Sequence, residues 1–475
     1  MKCDVSISSS VHSLLAGRFA QLLIQLVGIS VLARLLSPDE FAIIALSGVV
    51  IALVQIIAEM GIPSALVQRE NLLQHHKNAA FWLNLGISIV IACLLVIASP
   101  ILAKLLNSDR VELVLRLLAI SFPVSALASV HIALLERESR FDVLAIRMAI
   151  SSFFGLVVAY VMASKGFGAI SLAFQSLTSS AVMTFLVWMA KKWKPDKLSF
   201  SGLSEIVRVS SDVFVFNLVN YFHRNADAII IGRFLGEVSL GVYSVAYRIL
   251  LFPLQTITFA INKALLSAYS RNQDSFEKIS AHYKITLLGI ALITAPLMAA
   301  IWFVREPLVS ELMGPQWEGL PNVIRWLAPV GFLQSLASTS GPVLIAIGKT
   351  SALRNLGFIG VPFLVSAFFL GLPWGVEGVS ACYFAANLIW TVPVLVTVAV
   401  LIKVRVASVV LIPVIPSMLA ICSFYVANQI CYFFECTGFF LVGVTIILGA
   451  GFYFFGLRLL FWDNVKTILG GFIRR

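Results

Sequence analysis

A few polar residues stand in runs that are otherwise apolar, and they are the groups in this chain best suited to binding. Arg18, Gln21 and Gln25 are spaced i, i+3 and i+7, which puts them on one face of a helix. Asn217, Asn220, Tyr221 and Arg224 repeat the arrangement, with Asn225 and Asp227 just beyond; Tyr247 and Arg248 stand in the next apolar run. Gln55 and Glu59 mark another run, and Gln334, Ser335, Ser338, Thr339 and Ser340 a further one. A guanidinium offers a planar fork to phosphate oxygens, and amides, hydroxyls and tyrosine faces suit a hydroxylated ligand. The chemistry on offer is recognition of an anion with a large hydroxylated part.

Each group also has a plainer reading. Arg18 sits where its side chain reaches the membrane surface by snorkelling, Arg224 has Asp227 at i+3 for an internal ion pair, and Tyr247 with Arg248 suits a helix anchor. Ser and Thr in membrane helices commonly serve packing. Covalent chemistry is not indicated. Gly348-Lys349-Thr350 imitates the end of a phosphate-binding loop, but the glycine required five positions earlier is Val343. His12, His75, His76, His131 and His223 lack metal-ligand spacing, and Cys3, Cys93, Cys382, Cys422, Cys431 and Cys436 form no C-x-x-C pair. No metal, cofactor or enzymatic activity is expected. Cys431 and Cys436 are the one cysteine pair near the outer face.

The elements that hold these residues are membrane spans. The chain is 60% hydrophobic and 12% charged, with a mean hydropathy of +0.97, whereas soluble domains carry roughly a quarter charged residues. A span needs about 20 apolar residues, and the apolar runs predict about fourteen. They lie near 12–36, 41–61, 78–100, 112–135, 143–163, 167–190, 210–231, 240–262, 283–304, 322–347, 352–373, 376–402, 407–430 and 438–461. These runs are continuous over helical lengths and lack the alternation of a transmembrane barrel. The expected class is an all-α membrane protein.

The net charge of +11 could point to nucleic acid, so the placement of the charges decides. Most of the 34 Lys and Arg fall at the termini and in even-numbered loops, including Lys191, Lys192, Lys194 and Lys197, then Lys263, Arg271, Lys278 and Lys284. Odd-numbered loops carry Asp39, Glu40, Glu237, Glu306, Glu311 and Glu318. This is the positive-inside pattern, so no nucleic-acid partner is expected, and both termini should face the cytoplasm. Met1 to Ser10 is polar and the first apolar run is too long for a cleavable signal.

A weak internal repeat links the two halves. Ala33-Arg34-Leu35-Leu36 followed by Phe41-Ala42 resembles Gly232-Arg233-Phe234-Leu235 followed by Leu240-Gly241, so Arg34 maps onto Arg233. Gly168-Ala169-Ile170-Ser171-Leu172-Ala173 likewise resembles Gly378-Val379-Ser380-Ala381-Cys382-Tyr383. Parallel repeats of this kind enclose a central cavity in transporters. The expected organisation is a six-helix bundle over 1–190, an interfacial cytoplasmic linker over 191–209, a second six-helix bundle over 210–402, and two more helices with a tail over 403–475.

The motifs resemble the polysaccharide transporter family of the multidrug/oligosaccharidyl-lipid/polysaccharide (MOP) exporter superfamily, near the Wzx-type flippases. The likeness is carried by Leu36-Ser37-Pro38-Asp39-Glu40-Phe41, Ala65-Leu66-Val67-Gln68-Arg69 and Glu138-Ser139-Arg140-Phe141, in that order. It continues through Asp227-Ala228-Ile229-Ile230-Ile231-Gly232-Arg233, Leu240-Gly241-Val242-Tyr243 and Leu312-Met313-Gly314-Pro315-Gln316-Trp317. Ala42 departs from the glycine usual there. The resemblance implies a V-shaped fold that alternates between inward and outward openings in a bacterial inner membrane. It also implies a cargo, an undecaprenyl-diphosphate-linked oligosaccharide for exopolysaccharide, capsule or O-antigen assembly, with the polymerase machinery as a downstream partner. The alternatives are a cation-coupled multidrug exporter and a lipid II flippase. Three intramembrane arginines, against acids only near span ends, favour the anionic cargo. Proton or sodium coupling is left open.

Overall fold

Within lipid a backbone must satisfy its own hydrogen bonds, so long apolar runs become helices. The computed structural model describes residues 20–21, 23–59, 66, 72–138, 140–196, 211–253, 258, 269 and 276–473. The side chains of 59, 211–220, 222–224, 252–253, 350 and 461–473 lie outside that description. The described helices are α1 (Leu23–Ala33), α2 (Pro38–Glu59), α3 (Gln74–Leu105), α4 (Arg110–Ala119), α5 (Ser121–Arg137), α6 (Phe141–Ser164), α7 (Ala169–Ala190) and α8 (Ser211–Pro253). They continue with α9 (Phe276–Leu312), α10 (Leu320–Ala337), α11 (Ser340–Ala346), α12 (Thr350–Gly371), α13 (Gly375–Leu401), α14 (Val406–Val410), α15 (Val414–Phe433) and α16 (Gly438–Ile473). Among the described residues ten helical stretches are long and apolar enough to cross a membrane.

Two of the expected stretches take a different local form. The loop expected between 231 and 240 shrinks to one residue in α8, Gly236, at φ 84° and ψ 179°. That backbone region is essentially open to glycine alone. The 51-residue stretch Ser351–Leu401, by contrast, is two helices as the runs at 352–373 and 376–402 predict, split by a 3₁₀ turn at Leu372–Trp374 and by Gly375 at φ 70°. The run at 322–347 breaks at Ser338 and Thr339, whose hydroxyls donate to the Ser335 and Leu336 carbonyls. Such side chains compete with the helix for its own backbone acceptors.

The chain divides into two compact units, Met1–Ser244 and Val245–Arg475. In the first, α6 and α7 form a tight hairpin, with Gly155 set so close to α7 that an added Cβ would lie 2.0 Å from Ser179 Oγ and 2.7 Å from the Gln175 carbonyl. The described part of the linker, Lys191–Asp196, is fastened to the same unit. Trp193 Nε1 donates to Gln74 Oε1 (3.0 Å) and Trp82 Nε1 to the Asp196 carbonyl (3.0 Å), while Lys192 and Lys194 stay exposed. His131, fully buried, meets the Trp193 carbonyl at 3.2 Å and stacks on Trp188. In the second unit α9 is the central helix. Ala295, Ala299 and Ala300 pack with Phe424 of α15 and Tyr453 of α16, and Tyr283, Leu287 and Ile290 pack near Val398 and Ala399 of α13. Large apolar side chains such as Ile97, Ile101, Phe185, Phe358 and Ile447 are exposed, as expected where lipid is the solvent.

Candidate functional site

The stripe residues divide by surroundings. Arg18 lies outside the described residues. Gln21 is half-buried and its Oε1 is enclosed with no hydrogen-bond partner among the described residues, whereas Gln25, one turn on, is exposed. A buried acceptor left unpaired costs about 1–3 kcal/mol, so Gln21 is a place where a ligand or water hydroxyl would be favoured. In α8 the backbone puts Asn217, Tyr221 and Arg224 on one helical face, with Asn220 beside it. The side chains of Asn217, Asn220 and Arg224 are outside the description.

Tyr221 is buried and its hydroxyl donates to the Val49 carbonyl at 2.7 Å, pinning α8 against α2. Asp227 is also buried. It accepts from the Tyr243 hydroxyl (3.0 Å) and the Ala228 amide (2.8 Å), so it ties the two segments of α8 together across the Gly236 break. In the second unit Tyr247 is half-buried and Arg248 is exposed.

The start of α2 explains the Ser37-Pro38-Asp39-Glu40 motif. Glu40 Oε2 accepts from the Ser37 amide (2.9 Å), which is half of a capping box, and Pro38 occupies the first helical turn. Gly168 must be glycine here: its φ is 56°, and a Cβ would lie 2.2 Å from Glu40 Oε1. Gly241 of α8 lies against the same turn, its would-be Cβ 1.8 Å from the Pro38 carbonyl, and Gly232 packs on Leu46.

Above this contact sits a charge cluster that reading the stripes does not find. Arg110, at the start of α4, places one guanidinium nitrogen 2.6 Å from Asp39 Oδ2 and 3.0 Å from Glu237 Oε2. The three residues bring α2, α4 and the second segment of α8 together. The sequence signal was the acidic character of Asp39 and Glu237 in odd-numbered loops. The second unit holds a polar network of its own: Gln334 Nε2 of α10 donates to the Tyr383 hydroxyl (2.6 Å) and meets Asn387 Oδ1 of α13 at 3.3 Å. Asn387 and Thr391 bond back to carbonyls of α13. Gln334 was visible in the sequence; Tyr383 and Asn387 sit singly in an apolar run and gave little sign.

A recess of about 370 Å³ lies at the ends of α9 and α15, lined by Trp302, Arg305, Tyr425, Asn428 and Tyr432. Arg305 there donates to the Trp302 carbonyl and lies 4.7 Å over its ring. Among the described residues no group of three His, Cys, Asp or Glu could hold a metal. What the described residues show here are contacts that tie helices together within each unit.

Known proteins fit this picture. The chain is similar to the lipopolysaccharide biosynthesis protein WzxC of Escherichia coli K12, 24% identical over 371 residues that cover 77% of this chain and 75% of that one. It is also similar to the succinoglycan biosynthesis transport protein ExoT of Rhizobium meliloti, 27% identical over 331 residues and covering 70% and 67%. Its fold is that of the lipid II flippase MurJ in an inward closed conformation, with a TM-score of 0.76 at 16% identity, over 97% of this chain and 100% of that one. An inward-facing MATE transporter of the MOP superfamily follows at 0.65 and 17%, over 83% and 98%. The model of the family described as polysaccharide biosynthesis protein matches residues 31–321, more than half of the sequence. On that match, this multi-pass membrane chain belongs to the polysaccharide biosynthesis protein family.

Proposed function

We propose that the protein is a flippase carrying an undecaprenyl-diphosphate-linked oligosaccharide from the cytoplasmic to the periplasmic leaflet. The observation that carries this reading is a spacing of Arg, Gln and Asn residues in apolar runs of the sequence, in a polysaccharide-family chain folded like a lipid flippase. A glycan headgroup entering hydrocarbon loses hydrogen bonds at a cost of several kcal/mol each, and charge in a span calls for a functional reason. In this reading Arg18, Arg224 and Arg248 hold the diphosphate, and Gln21, Gln25, Asn217 and Asn220 meet the glycan. Tyr221, Asp227 and Tyr247 hold the helices that carry them, and the lipid tail stays in the bilayer.

The finer organisation belongs to the same proposal: fourteen spans, six-helix bundles over 1–190 and 210–402 joined by 191–209, two further helices over 403–475, and both termini in the cytoplasm. With that topology Asp39, Arg110 and Glu237 stand on the periplasmic side, and their cluster closes the outer opening while the headgroup loads from within. Alternating access then needs this cluster to part. Coupling comes from an ion gradient, from the membrane potential or from removal of the cargo by polymerase machinery outside. The burial of Asp227 under the Tyr243 hydroxyl counts against a drug exporter that uses this carboxylate to hold a cation.

Deletion of the gene in cells that make the native polymer tests the reading. Lipid-linked repeat units should collect on the cytoplasmic face and disappear on complementation. Unchanged polymer export with lowered resistance to cationic drugs would make the protein a drug exporter.

A further inference from the structure

The α15–α16 turn holds two cysteines in a relation that the flippase reading does not use. Helix α15 ends in a Schellman motif: the Cys436 amide donates to the Cys431 carbonyl (3.0 Å), the Glu435 amide to the Tyr432 carbonyl (3.1 Å), and Glu435 takes the left-handed conformation at φ 51°. In this motif the residues at the two ends of the outer bond bring their side chains together. Those residues are Cys431 and Cys436. Both are free thiols in this structure, set on the same side of the turn by the motif, and Thr445 of α16 donates to Cys431 Sγ at 3.3 Å. Cys431 is fully buried and Cys436 is partly accessible.

We infer that Cys431 and Cys436 are a disulfide-forming pair that staples the turn between α15 and α16 on the periplasmic side. The inference rests on the topology proposed above, which puts the turn between the thirteenth and fourteenth spans outside, where disulfides persist. The oxidant is a protein disulfide donor of that compartment. The Cys436 thiolate attacks one sulfur of the donor, forming a mixed disulfide and releasing the donor's other sulfur as a thiolate. The Cys431 thiolate then attacks Cys436 Sγ and expels the remaining donor sulfur. Two cysteine thiols are oxidised to the disulfide, the donor disulfide is reduced to a dithiol, and the two protons the cysteines lose are taken up, through solvent, by the donor's two sulfurs. Accessible Cys436 suits the first step and enclosed Cys431 the second. Loss of surrounding water and the neighbouring Cys431 sulfur hold the Cys436 thiol above its ordinary pKa, so a catalysed route is favoured over slow reaction with air. The staple fixes the end of α15 that presents Asn428 and Tyr432 to the aromatic recess.

The test uses the full-length protein, made in a bacterium with an oxidising periplasm and denatured in a maleimide–polyethylene glycol that shifts its gel mobility once per free thiol. Two of the six cysteines should resist modification until reduced. Cys431→Ser or Cys436→Ser should each release one extra reactive thiol without reductant, while Cys93→Ser should leave the protected pair intact. In parallel, whole cells are treated with reductant and then with a membrane-impermeant maleimide, and labelling of Cys436 is read. Protection relieved by reduction, with Cys436 labelled from outside, is the expected result. Six free thiols with Cys436 labelled from outside would overturn the disulfide and leave the topology standing. Six free thiols with Cys436 reached only after permeabilisation would overturn both.

Discussion

Replacing Arg110 with Ala removes the cation shared by Asp39 and Glu237, and the effect on the transport cycle can be worked out. Both ion pairs are partly solvated, with Arg110 55% exposed and the carboxylates 28% and 26% exposed, so each contributes about 0.2–1 kcal/mol. Without the guanidinium, two carboxylates that met the same nitrogen at 2.6 and 3.0 Å face each other. At 5–6 Å in a watery dielectric their repulsion adds roughly 0.7 kcal/mol. The closed outer face should therefore lose about 1–3 kcal/mol, which raises the ratio of outward-open to closed protein by about five-fold to about a hundred-fold. The assay places a reporter at Gln25→Cys in a cysteine-free background and follows its reaction with a membrane-impermeant maleimide from the periplasmic side. Arg110→Ala should speed labelling by that factor, Arg110→Lys by much less, and high salt should speed the parent while slightly slowing the Ala variant, whose carboxylate repulsion it screens. An unchanged or slower rate in Arg110→Ala would refute the latch.

Three other outcomes follow from particular contacts. Gly155→Ala should destabilise the first unit by about 1–3 kcal/mol, read as a lower melting temperature in detergent; Ser179→Ala should not restore it, because the Gln175 carbonyl also blocks a Cβ. Gln334→Leu should cost about 1–3 kcal/mol by taking the Gln334 donor away from the buried Asn387 Oδ1 and the Tyr383 hydroxyl, and adding Asn387→Leu should cost less than the two single losses together. In reduced protein, alkylation of Cys436 should rise with pH along a curve displaced above that of an ordinary thiol, since only the thiolate reacts and its formation is disfavoured here; a midpoint at or below that of free cysteine would count against the contact with Cys431.

Much of the fold was legible because lipid imposes one rule, continuous apolar length, and the sequence displays that length directly. The cap at Ser37-Pro38-Asp39-Glu40 was equally plain, since its bonds run between near neighbours. Partners far apart in the chain were not. Arg224 and Asp227 at i+3 suggested an ion pair, whose Arg224 side chain lies outside the described residues; the bond that is described joins Asp227 to Tyr243, sixteen residues on across a glycine break, and no local spacing marked it. Arg110 lies 71 residues from Asp39 and 127 from Glu237, so charge type alone did not connect them. Tyr221 looked like a ligand residue, but its hydroxyl bonds a backbone carbonyl, an acceptor that every residue carries and no sequence pattern marks. A helical face could be assigned from periodicity; what that face meets depends on packing.

The central claim is that intramembrane guanidinium groups carry a diphosphate-linked glycan across the bilayer. The most direct measurement is movement of a polyprenyl-diphosphate-linked oligosaccharide across liposomes containing the purified protein, read as loss of accessibility to a glycan-modifying enzyme on the loading side. Wild type should move it, Arg224→Ala should slow it at least ten-fold at equal protein level, equivalent to about 1.4 kcal/mol, and Arg224→Lys should keep part of the rate. Equal rates in wild type, Arg224→Ala and protein-free liposomes would contradict the claim.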